Sequence, residues 1–113
     1  MKIPNAFLKA DDDSIQNALQ SGKLALVLTT LASQAFKDLS TLLDDPLLSD
    51  LLTKFHCFHV PFGADHCERY SLFKPAALYV LENGERPIRQ LVNHGHGVLF
   101  VDDVINFLVE AVP

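Results

Sequence analysis

Residues 70–85 read Tyr70-Ser71-Leu72-Phe73-Lys74-Pro75-Ala76-Ala77-Leu78-Tyr79-Val80-Leu81-Glu82-Asn83-Gly84-Glu85. A proline stands just before an uninterrupted apolar run, and the run ends at Asn-Gly. Proline has no amide hydrogen and is tolerated where a strand starts. Asparagine and glycine accept the positive φ angles that a two-residue hairpin turn demands. The pattern predicts a strand over Ala76–Leu81, a hairpin at Asn83-Gly84 and a partner strand over Pro87–Asn93, with Pro87 at its start.

N-terminal to this stretch, Leu24-Ala25-Leu26-Val27-Leu28 is a continuous apolar run of strand length. A strand covered on both faces reads this way. Phe55–Pro61, rich in aromatics, reads as another strand. Ile3–Leu8 reads as a short first strand, which Pro4 confines to an edge or a strand start. Helical spacing fills the gaps. Asp13 or Ser14 suits the N-cap of a helix to about Gln20, with Ile15, Ala18 and Leu19 on one face and Ser21-Gly22 as the stop. Ser33–Leu43 places Ala35, Phe36, Leu39, Leu42 and Leu43 on one stripe. Asp45-Pro46 reads as an N-cap followed by proline at the first helical position, opening a helical piece to about Lys54. Ala64–Leu72 reads as a short helix and Val98–Val112 as a closing one. The order is β-α-β-α-β-α-β-β-α. The first three strands, separated by helices, are expected to run parallel through right-handed crossovers, and the last two to form an antiparallel hairpin. An α/β fold follows: one domain over residues 1–113, with a mixed central sheet and helices on both faces as a three-layer sandwich.

The bulk properties narrow the function. The chain has 113 residues, of which 49% are hydrophobic, enough to pack one core. Its net charge of −5 argues against nucleic acid as a partner, because phosphate binding needs clustered lysine and arginine. The acidic run Asp11-Asp12-Asp13 reads as a solvated cap or loop. No apolar stretch approaches the roughly 18 residues of a membrane span. Met1-Lys2-Ile3-Pro4-Asn5 lacks the apolar core of a signal peptide, so a cytoplasmic location is expected. The two cysteines, Cys57 and Cys67, suit a reducing compartment as unpaired thiols, although a bridge between them is conceivable if their Cα atoms approach within about 7 Å.

The element order resembles the thioredoxin fold. Two local matches carry the resemblance: Leu24–Leu43, which is similar to the strand, active-site turn and helix of that family, and Tyr70–Glu85, where proline opens a strand that leads to an Asn-Gly hairpin. Gly95 stands where the family often has glycine after its last strand. The similarity spans roughly Ser14 to Glu110. It implies that Pro75 is the cis-proline beside the active site; the residues alone leave an ordinary trans proline at a strand start as the alternative. The departures say more. Where redox-active members carry Cys-x-x-Cys, this chain has Ser33-Gln34-Ala35-Phe36. Disulfide exchange needs an attacking thiolate and a resolving thiol, and neither a serine hydroxyl nor a phenyl ring supplies one. The family's buried acid corresponds to Val27 and its active-site tryptophan to Ala32. The resemblance therefore implies a redox-inactive member, a non-enzyme without cofactor.

Other chemistries find little footing. Ser33 reads as a helix N-cap, with no Gly-x-Ser-x-Gly elbow around it. The histidines His56, His59, His66, His94 and His96 are not spaced as a metal site: on a strand, residues three apart point to opposite faces. His94-Gly95-His96 reads as a turn. What the resemblance does imply is a groove that accepts an extended peptide, lined by Thr30, Leu31, Ala32, Ser33, Gln34, Lys74, Pro75 and the turn at His94 and Gly95, with an apolar surround at Leu31 and Phe73. A protein or peptide partner follows as the expectation, in a chaperone-like or assembly role. A homo-oligomer that covers the groove or a sheet edge fits as well. The alternative is a thiol-dependent or glutathione-linked oxidoreductase using Cys57 or Cys67.

Overall fold

A computed structural model describes residues 1–11, 13–82, 86–95 and 97–112. The elements are β1 (Leu8–Lys9), α1 (Ser14–Gln20), β2 (Ala25–Thr30), α2 (Gln34–Leu43), a 3-10 turn (Pro46–Leu48) that runs into α3 (Ser49–Leu52), β3 (His56–Pro61), α4 (Asp65–Arg69), β4 (Ala77–Leu81), β5 (Arg89–Val92) and α5 (Val101–Ala111). The five strands form one mixed sheet in the order β1-β3-β2-β4-β5. β3 is parallel to both β1 and β2, whereas β4 is antiparallel to β2 and to β5. Among the described residues no helix is long and apolar enough to cross a membrane.

β2 and β4 occupy the middle of the sheet, and every residue in both is buried. Side chains alternate across a strand, so these two strands feed two separate cores. Leu26, Leu28, Leu78 and Val80 face a cluster closed by Phe36, Leu39 and Leu43 of α2, Leu48 and Leu52 near α3, and Val104, Phe107 and Leu108 of α5. Ala25, Val27, Ala77, Tyr79 and Leu81 face the other side, closed by Ile15, Ala18 and Leu19 of α1 together with Cys67 and Tyr70 at α4. Helices thus cover both faces, as the sequence predicts.

The element ends differ from the sequence reading where side chains or turns capture backbone groups. The predicted strand Ile3–Leu8 shrinks to Leu8–Lys9, because Phe7 N–H bonds Pro4 C=O at 3.1 Å and folds the arm into a turn. β2 runs two residues further, through Thr29 and Thr30. The last helix starts at Val101 and not at Val98: the Asp103 carboxylate accepts from Phe100 N–H at 2.8 Å and fixes the first turn there, leaving Val98 and Phe100 exposed. β4 and β5 pair antiparallel as expected, while the predicted Asn83-Gly84 turn lies outside the described residues.

α4 ends three residues before the predicted Leu72. Ser71 takes a left-handed conformation, φ 60°, and Leu72 N–H reaches back to Cys67 C=O at 2.8 Å. This is a Schellman-type stop, usually built with glycine because a Cβ is unfavourable there. Ser71→Gly is expected to raise stability by about 0.5–1 kcal/mol, read as a higher urea midpoint with an unchanged denaturant slope. Ser71→Ala gives no such gain.

Candidate functional site

Three stretches of backbone meet at one end of the sheet: the turn from β2 into α2, the loop before β4, and the residues after β5. Ser33 caps α2, its hydroxyl oxygen accepting from Phe36 N–H at 3.1 Å. Leu31, Ala32, Ser33 and Gln34 are exposed around that cap. Gln34 turns along the helix and donates to the Asp38 carboxylate at 2.8 Å.

The loop before β4 is pinned from two sides. Thr29, buried in the central strand, donates its hydroxyl to Lys74 C=O at 2.7 Å and accepts from Ala77 N–H at 3.2 Å. Lys74 N–H donates to the Tyr79 hydroxyl at 2.8 Å. A buried hydroxyl must find partners or lose the free energy of its hydration, and both residues spend theirs on this loop. The third stretch is held by Asn93, whose N–H donates to Ala76 C=O at 3.0 Å and whose side-chain amide donates to Ala35 C=O at 2.8 Å. Gly95, with φ 75°, then turns the chain over the start of α2. Its N–H donates to the Asn93 side chain at 3.3 Å.

Leu31, Ala32, Ser33, Gln34, Lys74, Pro75, His94 and Gly95 therefore belong to segments that these bonds draw together. Two expectations are corrected. Thr30 is only 7% exposed, with its hydroxyl on Val60 C=O and its carbonyl accepting from Phe62 N–H, so its side chain does not line an open groove. The Lys74–Pro75 bond is trans, since no peptide bond among the described residues is cis. The loop instead turns at Ala76, a non-glycine residue at φ 52°; outliers of this kind persist where surrounding bonds over-determine the backbone. Thr29, Tyr79 and Asn93 are absent from the sequence-derived site. The one available signal was Thr29 itself, a hydroxyl at the end of an otherwise apolar buried run.

The rim of this site is apolar, with Leu31 43% and Phe73 66% exposed. Two concavities flank it. One, of about 400 Å³, lies along α2 between Phe36 and the N-terminal arm, which Ser40 holds by donating to Lys2 C=O at 2.8 Å. The other, of about 220 Å³, lies between Phe62 and Phe73.

Neither thiol lies among the segments that these bonds draw together, although Cys67 lines the cleft between Phe62 and Phe73. Cys57 and Cys67 are buried and unbridged, and they sit in the two cores on opposite faces of the sheet, which accounts for the absence of a bond. Burial pushes the Cys57 thiol up to about 12, against a smaller opposing pull from Lys23. Burial raises Cys67 too, with backbone N–H groups of Gly63 and Ala64 opposing it. Both are thiols rather than thiolates at neutral pH. Among the described residues no group of three His, Cys, Asp or Glu side chains is arranged to hold a metal ion. His56 bonds the Ser21 hydroxyl at 3.1 Å and His66 the Asp11 carbonyl at 2.9 Å; His96 lies outside the described residues. Compared with known proteins, the chain matches no family profile and no curated protein.

Two outcomes follow from this geometry. Thr29→Val, which keeps the shape and removes the bridging hydroxyl, is expected to cost about 1–3 kcal/mol and to accelerate hydrogen exchange at Ala77; unchanged exchange there means the loop is held otherwise. Iodoacetamide at pH 7.5 should label the native chain at least about a hundredfold more slowly than the urea-unfolded chain. Rapid native labelling of either cysteine would return thiol chemistry to consideration.

Proposed function

We propose that this chain is a non-catalytic binding module of thioredoxin-like architecture, which holds an extended segment of a partner protein in a chaperone-like or assembly role. The order and directions of its strands support that architecture, as does a helix whose N-terminus follows the central strand. The observation that carries the functional reading is the convergence of three backbone segments on an open apolar rim at the start of α2, where Ser33 is the N-cap.

The loop geometry restricts how a segment docks. Lys74 N–H and C=O are occupied by Tyr79 and Thr29, and Pro75 has no N–H to offer. The Pro75 carbonyl takes part in no hydrogen bond among the described residues, which leaves one main-chain acceptor for the partner at this point. Side-chain contacts with Leu31 and Phe73 then supply most of the affinity, through apolar surface removed from water. The raised thiols give no support to the oxidoreductase alternative.

The test is an NMR titration of the isotope-labelled chain with the extended probe acetyl-Leu-Val-Gln-Val-Leu-amide. Amide shifts are expected first at Leu31, Ser33, Gln34, Lys74 and Gly95, and the double variant Ser33→Arg/Gln34→Glu should weaken them about tenfold. Shifts confined to another face would refute the groove.

A further inference from the structure

We propose that the cleft between Phe62 and Phe73 takes a basic side chain, arginine or lysine, from the segment that the groove holds; this rests on the groove reading above. The cleft adjoins the groove on both of its walls. Phe62 N–H donates to Thr30 C=O at 2.9 Å, where β2 leaves the sheet, and Phe73 directly precedes Lys74. Both rings face solvent, Phe62 being 39% and Phe73 66% exposed. Leu72 and Cys67, both buried, also line the cleft, and the Cys67 thiol is turned to Pro61 C=O at 3.5 Å.

The occupant follows from the charge at the cleft. Asp65 and Glu68 lie three residues apart on α4, line the cleft and are exposed. Among the described residues neither carboxylate is in a salt bridge. The cations next to them in sequence are placed elsewhere. Arg69 lies over the Tyr70 ring, 5.2 Å from its centre, and Lys74 does not line the cleft. A purely aliphatic side chain would cover the rings but desolvate two carboxylates without compensation. An acidic one would be repelled. A long aliphatic stem with a cationic head suits both features, its methylenes on the rings and its charge at the carboxylates. The net charge of −5 favours the same partner at long range.

The experiment extends the same titration at low salt to acetyl-Leu-Val-Arg-Val-Leu-amide and acetyl-Leu-Val-Glu-Val-Leu-amide. The arginine peptide is expected to bind about tenfold tighter than the glutamine peptide, and the glutamate peptide more weakly than either. The arginine peptide should add shifts at Gly63 and Glu68. In the double variant Asp65→Asn/Glu68→Gln, both positions exposed, arginine should lose its advantage while the glutamine peptide binds as before. Equal affinities for the three peptides would overturn the cleft assignment and leave the groove standing, and so would an arginine advantage that survives in the double variant. No groove shift with the glutamine peptide would overturn the groove reading itself.

Discussion

β2 and β4 have no solvent on either side, and that constraint organises the rest of the chain. A strand buried on both faces needs apolar cover above and below. Here α2, α3 and α5 supply one layer, α1 and α4 the other. The same burial sets a condition at the strand ends. Thr29 carries a hydroxyl into a region without water, and Tyr79 a phenol at the edge of it, so each must bond to backbone. Both find the loop around Pro75. The shape of the proposed groove is therefore a by-product of polar groups satisfied at the rim of the core.

The sheet also partitions the chemistry. Cys57 and Cys67 lie in different cores, one on each face, and both thiols are held protonated by burial. At the helix start, where a thiol would be acidified by backbone N–H groups, Ser33 spends its side chain on capping α2. What remains at that end of the sheet is a rim of exposed leucine and phenylalanine over hydrogen-bonded backbone.

Much of the framework was legible in the residues. The alternation of Ala25–Leu28 and Ala77–Leu81 between two cores follows from a period of two, and the stripe at Phe36, Leu39 and Leu43 from a period of 3.6. The misjudged ends have a common cause. Ser71 in a left-handed turn, Asp103 capturing Phe100 N–H and Pro4 starting a turn are local bonds that compete with regular structure, and hydrophobic periodicity is blind to them. The site was half legible. Its exposed members, from Leu31 to Gln34 with Lys74, and the half-buried Pro75 came from a resemblance of pattern. Its supports, Thr29, Tyr79 and Asn93, come from three places in the chain and have no spacing to betray them.

By itself the sequence determined most of the segments that become strands and helices, the N-terminal arm apart, that a doubly buried strand lies at the centre, and that no thiol stands at the start of α2, because propensity, periodicity and residue identity are local properties. Only the tertiary structure decided that Thr30 turns inward, that Lys74–Pro75 is trans with the bend at Ala76, and that Cys57 and Cys67 are kept apart by the sheet. Those outcomes depend on which groups meet at a distance along the chain, such as Thr30 with Val60 and Thr29 with Lys74, and a buried donor or acceptor takes whichever partner the packing brings within reach.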